Sequence, residues 1–275
     1  MKQEDIKKVV RVRYGDIAAK GGTCCSPEAS CCGSQNTAER IGMSVGYSPQ
    51  DLQEVPEGAN LGLGCGNPVA LASLREGETV IDLGSGAGFD CFLAAKRVGP
   101  DGRVIGVDMT PPMLDKAREN TRKGNYGNVE FRLGEIENLP IADNTADIII
   151  SNCVINLSLD KTRVFAEAFR ALKPGGRIMV SDIVLPGELP ETLKNSLAAY
   201  CGCVAGALPE KEYMETIRGA GFREVMIIQQ NLYSIKELIA CFPDIPIDDD
   251  PDKLFATQVA SITVSAIKER ETETR

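Results

Sequence analysis

Residues 79–88 read T-V-I-D-L-G-S-G-A-G, a β-branched run that breaks into three alternating glycines, and no other segment restricts the chain as much. The stretch 79–83 has the composition of a short buried strand, and residues 89–98 that follow the turn read as a helix. Glycine at 84, 86 and 88 removes every Cβ from one side of that turn. A ligand then approaches the backbone at the start of a helix, where N–H groups point outward. Asp108 ends the next predicted strand, 108 − 82 = 26 positions after Asp82. A carboxylate there suits the hydroxyls of a ribose. A strand before, a helix after and an acid ending the next strand make this turn a nucleoside-cofactor site rather than a bare structural turn.

The rest of the chain repeats the rhythm. Strands are predicted over 103–107, 128–133, 146–151 and 177–183, with helices over 111–123 and 160–172 between them. Thr110 stands as N-cap before Pro111, and the helix 160–172 stops at the K-P-G-G of 173–176. Strands alternating with helices predict an α/β fold on a mostly parallel, doubly wound sheet. Beyond Pro186 the pattern relaxes into helices over 189–201, 210–220 and 235–241 and strands over 223–229 and 257–267. Residues 6–14 form a short amphipathic start, and Gly, Ser, Asn and Pro dominate 21–68, where long regular elements are not expected. The expected division is a Cys-rich N-terminal segment at 1–75 contributing to the sites, a cofactor-binding domain at 76–185 and a C-terminal α+β extension at 186–275 that carries substrate contacts and edge strands.

Composition removes whole classes of chemistry. The 275 residues include no His, which excludes Ser-His-Asp and Cys-His nucleophile pairs and His-ligated metals. Thirty basic against thirty-nine acidic side chains give a net charge of −9, which argues against nucleic acid or an anionic membrane as main partner. The first ten residues are charged throughout and no 18-residue apolar run exists, so neither a signal peptide nor a membrane span is expected, and a reducing cytoplasm is the default location. In that setting the ten cysteines read as thiols, ligands or reactive groups rather than structural disulfides.

The cysteines separate by context. Cys91, among Phe92, Leu93 and Ala94, and Cys241, at a helix end, read as core. Cys153 follows the fourth strand in S-N-C-V-I-N-L, where open α/β sheets bind ligands, and Ser151 and Asn152 stand beside it. Cys65 lies in G-L-G-C-G-N-P, and Cys201 and Cys203 flank Gly202 in Y-C-G-C-V-A-G-A-L. None of them has C-x-x-C zinc spacing. Three thiols in glycine-rich or strand-end settings point to a soft site assembled by the fold, and thiolates select thiophilic ions.

The G-x-G-x-G turn preceded by Asp82 resembles motif I of the Rossmann-like class I methyltransferases that use S-adenosyl-L-methionine; an NAD-type oxidoreductase is the alternative at this level. Together with Tyr14-Gly15, G-C-G-N-P, D-L-G-S-G-A-G-F-D-C, G-V-D-M-T, S-N-C-V-I-N-L and C-V-A-G-A-L, the chain resembles the arsenite methyltransferase family over nearly its whole length. The resemblance implies that Cys65, Cys153 and Cys203 hold trivalent arsenic as a pyramid of thiolates. A fourth family cysteine falls within Cys24-Cys25, and the extra cysteines Cys24, Cys25, Cys31 and Cys32 would form a disulfide in the redox step, which a thioredoxin- or glutathione-like thiol reductant then reduces again. For the cofactor it implies Asp82, Gly84, Ser85, Gly86 and Gly88 around the methionine moiety, Asp108 on the ribose, Met109 and Thr110 beside the adenine, Gly134, Glu135 and Ile136 along the adenine edge, Asn152 facing the cofactor and Tyr14 as a lid. The substrate would be a trivalent arsenic–thiol complex and the working unit a monomer. Two rival functions are weighed against this one. One is a methyltransferase for a small organic acceptor, which needs no cysteine trio. The other is a non-catalytic soft-metal(loid)-binding protein, which needs neither the glycine turn nor Asp108.

Asp108 carries a direct test. Removing a charged acceptor costs about 1.5–3 kcal/mol per hydrogen bond, so losing two ribose bonds in Asp108→Ala is expected to weaken S-adenosylmethionine binding roughly 10²–10⁴-fold. Titration calorimetry reads this, and wild-type affinity in the variant contradicts the assignment.

Overall fold

The computed structural model describes residues 3–20, 37–235 and 257–270. Helix α1 (Gln3–Lys20) leads to three short helices, α2 (Thr37–Ser44), α3 (Pro49–Gln53) and α4 (Pro68–Leu71). The alternating part follows: β1 (Thr79–Leu83), α5 (Phe89–Val98), β2 (Arg103–Asp108), α6 (Pro111–Gly124), β3 (Val129–Leu133), β4 (Ala146–Asn152), α7 (Lys161–Ala171) and β5 (Leu172–Val184). Helices α8 (Glu191–Lys194), α9 (Leu197–Cys201) and α10 (Glu210–Gly219) precede β6 (Arg223–Ser234) and β7 (Gln258–Ile267).

The strands form one sheet in the order β3-β2-β1-β4-β5-β7-β6. The first five run parallel, and β7 joins β5 antiparallel with β6 outside it. Chain order reverses between β1 and β4, and such a switch point opens a crevice beyond the carboxyl ends of the strands. Adjacent strand residues alternate between two cores. Ile81, Ile105 and Ile149 pack on one face with Val164 and Phe165, while Val80, Val104, Ile148 and Ile150 pack on the other with Phe92 and Leu93. Burial on both faces explains why these strands read as continuous apolar runs. No described helix is long and apolar enough to cross a membrane.

Several elements differ from the sequence reading, and β6 runs past the expected 229 to Ser234. The helix predicted to reach Leu172 ends at Ala171, and Leu172 already pairs with Ala146. The K-P-G-G segment lies inside β5 as an irregular stretch, with Gly175 at φ +85° and its N–H bonded to the carbonyl of Lys268 at 2.7 Å. The single helix predicted over 189–201 is two, because Ser196 caps a fresh start by accepting the N–H of Ala199. At the N-terminus the short amphipathic start extends to an 18-residue helix. The helix expected over 235–241, with Cys241, falls outside the described residues after Ile235.

Candidate active site

The pocket opens where the switch point predicts, over the carboxyl ends of β1, β2 and β4. Its floor is the glycine turn. The N–H groups of Gly84 and Ser85 both bond to the carbonyl of Val107, at 2.8 and 3.1 Å, which folds the turn back over β2. Gly84 sits at φ +67°, and a Cβ there would lie 2.4 Å from Val154. Only glycine therefore closes this turn. Asp108 ties the turn to the next element. One of its carboxylate oxygens accepts the N–H of Gly86 at 2.9 Å, and the other accepts that of Thr110 at 2.7 Å.

Of the residues expected around the cofactor, Tyr14, Asp82, Gly84, Ser85, Gly86, Asp108, Met109 and Thr110 line the pocket, as do Gly134, Ile136 and Asn152. Two do not. Gly88 begins α5, and a Cβ on it would press on Phe131 and Phe92 rather than a ligand. Glu135 accepts a 2.7 Å bond from Lys7, anchoring α1 beside the pocket. The hydroxyl of Tyr14 donates to the carbonyl of Cys201 at 3.0 Å, so α1 reaches across to α9 as well.

The sequence reading missed Asp90 and Tyr47. Asp90 stands in the first turn of α5 and lines the pocket with Asp82 and Asp108. Tyr47 donates to it at 2.6 Å. The available signal was a second acid eight residues after Asp82, inside a motif already singled out; Tyr47 had none. Burial, reinforced by Asp90 and Asp108, pushes the carboxyl of Asp82 well above the ordinary range, while Cys91 donates to it at 3.2 Å. Burial likewise raises Asp90, to about 6, against the bonds from Tyr47 and Asn152. Lys7 is the one cation among the described lining residues, and it is already paired with Glu135 and Glu137. Burial raises Asp108 as well; three acids without a free cation offer the pyrophosphate of a dinucleotide no partner, whereas a cationic nucleoside favours their ionised forms. Ser85 Oγ is buried here without a hydrogen-bond partner, a polar atom fitted to a ligand. These residues fit S-adenosylmethionine.

Beside this pocket the fold gathers three of the cysteines. The Cys153 thiol, in the pocket wall, belongs to the same packed cluster as Cys65 and Cys203. Cys203 Sγ also donates to the carbonyl of Cys153 at 2.9 Å. The neighbouring thiols of Cys203 and Cys65, then burial, hold the Cys153 thiol well above its usual pKa, and burial raises that of Cys65. Cys153 and Cys203 both adopt left-handed backbone, at φ +60° and +62°, a conformation costing about 1–2 kcal/mol per non-glycine residue. Cys65 is aimed by Asn152. The side-chain oxygen of Asn152 accepts the N–H groups of Cys65 and Gly66, at 3.0 and 3.3 Å. Its amide hydrogens are shared among the carbonyl of Gly66, the Tyr47 hydroxyl and Asp90, at 2.9, 2.8 and 3.1 Å. From the far side Ser261 donates to the carbonyl of Cys65 at 2.6 Å. Among the described residues no group of three or more Cys, Asp or Glu is arranged as a ready-made metal cage. Cys91 is core, fully buried beneath the glycine turn. Cys24, Cys25, Cys31 and Cys32 lie outside the described residues.

This fold and pocket define an S-adenosylmethionine-dependent methyltransferase, and the family model described as a methyltransferase domain matches residues 74–222. The chain is 45% identical over 272 residues to an arsenite methyltransferase of Halobacterium salinarum, covering 96% of this chain and 67% of that protein. To the human arsenite methyltransferase it is 33% identical over 86% of this chain and 63% of that one. The crystal structure of an arsenic(III) S-adenosylmethionine methyltransferase from Chlamydomonas reinhardtii superposes with a TM-score of 0.64 at 33% identity, over 85% of this chain and 74% of that one. The chain belongs to the arsenite methyltransferase family, and it spans about two thirds of the length of the curated relatives it matches.

The buried Asp182, whose carboxyl is raised to about 7 chiefly by burial, gives a stability prediction. Its folded pKa exceeds its unfolded value of about 3.9, so the folded state binds the extra proton between the two. Stability from this group is complete below about pH 4 and is lost as the pH rises through 7, to a total of about 4 kcal/mol. Urea unfolding is therefore expected to show a decline from pH 5 to 8 that Asp182→Asn flattens; an unchanged slope contradicts the assignment.

Proposed function

We propose that this chain transfers methyl groups from S-adenosylmethionine to trivalent arsenic bound by Cys65, Cys153 and Cys203. The observation that carries the reading is the clustering of Cys65, Cys153 and Cys203, with Cys203 bonded to the carbonyl of Cys153 and Cys153 in the wall of the cofactor pocket. S-adenosylmethionine supplies an electrophilic methyl group on a sulfonium. Every other part of the task falls to the chain. Asp82 and Asp90 face the cationic end of the cofactor, and Asp108 the ribose. Cys65, Cys153 and Cys203 fix the nucleophile.

Raised thiol pKa values suit this substrate. Arsenous acid is neutral, and three thiols condense with its three hydroxyls to give three As–S bonds and three waters. A thiol-bound arsenical exchanges in the same way, each cysteine passing its proton to the departing thiolate. Neither route needs a base. The arsenic lone pair carries no proton, so methyl transfer needs none either, which accommodates a chain without histidine. Positioning a reactant pair in this way supplies several kcal/mol of barrier lowering. Turnover then draws on an external thiol reductant in a reducing compartment such as the cytoplasm, with Cys24, Cys25, Cys31 and Cys32 as the relay.

The rival readings each leave a feature unused. A small organic acceptor gives no reason to hold Cys153 and Cys203 in left-handed backbone, and a metalloid sink gives no reason for the carboxylate-lined cofactor pocket. Ser at Cys153 or Cys203 is expected to abolish production of methylated arsenicals and S-adenosylhomocysteine, read by mass spectrometry, with cofactor affinity within about 3-fold of wild type. Full activity in Cys153→Ser overturns the proposal.

A further inference from the structure

The face of β5 opposite the Cys65 loop holds a carboxyl that the reaction as described does not use. Asp182 is completely buried. Tyr213 donates to its Oδ2 at 3.0 Å, while no hydrogen bond is completed to Oδ1 and the backbone N–H groups of Asn156 and Ile183 stand near the carboxyl. The side-chain oxygen of the neighbouring Asn156 is buried and unpartnered as well. Lys161 is the counter-charge within electrostatic range, and it is shared with Glu137 and Glu212. Yet its ammonium donates to the carbonyl of Ser158 at 2.9 Å and forms no ion pair among the described residues. A buried carboxyl with one oxygen bare and no paired cation is unfavourable in a resting protein.

Its position in the strand gives it a use. On one side, the carbonyl of Ser181 accepts the N–H of Cys153 at 2.8 Å. On the other, Ile183 pairs in register with Ser261, whose hydroxyl holds the carbonyl of Cys65. Asp182 thus lies between the anchor points of two of the three cysteines, and its charge reaches the Cys65 thiol.

We propose that Asp182 is a positioning residue for methyl transfer, its carboxylate offsetting the positive charge that arsenic acquires with the methyl group. The inference rests on the arsenic-methylation reading. In that step the arsenic lone pair becomes the As–C bond, the S–C bond breaks, and its electron pair stays on sulfur. The three As–S bonds persist, so the single positive charge moves from sulfonium to arsenic. No proton leaves to cancel it. In a dry site a fixed charge of opposite sign, already in place, stabilises such a transition state strongly. The bare oxygen is then a resting-state cost that the charged transition state relieves.

The test is single-turnover methylation by the full chain preloaded with one arsenite and mixed with S-adenosylmethionine at pH 8.5, above the carboxyl pKa of about 7. Asp182→Asn keeps the shape, accepts from Tyr213 and donates to Asn156, but carries no charge. It is expected to bind arsenic and cofactor as wild type does and to methylate about 10- to 100-fold more slowly. Asp182→Glu is expected to recover part of the loss. An Asp182→Asn rate within 2-fold of wild type overturns the proposal, as does loss of arsenic loading, which would make Asp182 a builder of the site. Should Asp182→Asn not fold, Tyr213→Phe decides, because it removes the bond and leaves the charge. A rate at least equal to wild type supports the proposal, and a 10-fold loss overturns it. Absence of arsenic methylation by the wild-type chain itself is a separate outcome and refutes the underlying reading.

Discussion

One side-chain amide joins the two halves of the site. Asn152, the last residue of β4, bonds to both backbone N–H groups and one carbonyl of the Cys65–Gly66 loop on one side and to Tyr47 and Asp90 on the other. The loop comes from before the sheet, 87 positions earlier in the chain. Nothing in its glycine-rich sequence holds it to β4. Without the amide, two N–H groups, a carbonyl, a tyrosine and a buried carboxyl would lose partners together, at about 1–3 kcal/mol each. The close fit has a steric side too, since a Cβ on Gly64 would lie 2.6 Å from this amide and one on Gly66 would lie 2.7 Å from Ser181. The G-C-G sequence is what lets a cysteine be carried this close to the sheet.

From that clamp the rest of the arrangement follows. Cys65 arrives from an N-terminal loop, Cys153 from the turn after β4, and Cys203 from the turn after α9. The sheet contributes the fixed frame, because Cys153 bonds to Ser181 on β5 and Cys65 to Ser261 on β7. The antiparallel addition of β7 and β6 is therefore part of the site as well as of the fold. On the other side of Asn152, Asp82, Asp90 and Asp108 line the pocket with acids and leave no free cation among the described lining residues.

Much of this was legible in the sequence where the signal is local. The strand, glycine turn, helix and terminal acid of 79–108 give the parallel core and its ligand crevice, because each depends on residues within a few positions of one another. The cysteine trio was visible only as three unusual settings; its convergence is a property of tertiary structure. Asn152 was placed with the cofactor because it ends a strand there. It does line the pocket, but its bonds to the Cys65 loop are long-range and leave no local trace. Glu135 enters through the resemblance alone, and a salt bridge from Lys7 on α1 holds it beside the pocket. Asp182 reads as an ordinary strand residue, since its significance lies in the partner it lacks.

In the proposed complex, three cysteines from distant segments close on one arsenic atom beside the cofactor. Arsenic X-ray absorption on the full chain, loaded with one equivalent of arsenite in the presence of S-adenosylhomocysteine, tests it most directly. The account predicts a shell of three sulfur atoms in the wild-type chain, reduced to two in Cys153→Ser. A shell containing oxygen in the wild type, or three sulfurs retained in Cys153→Ser, would contradict it.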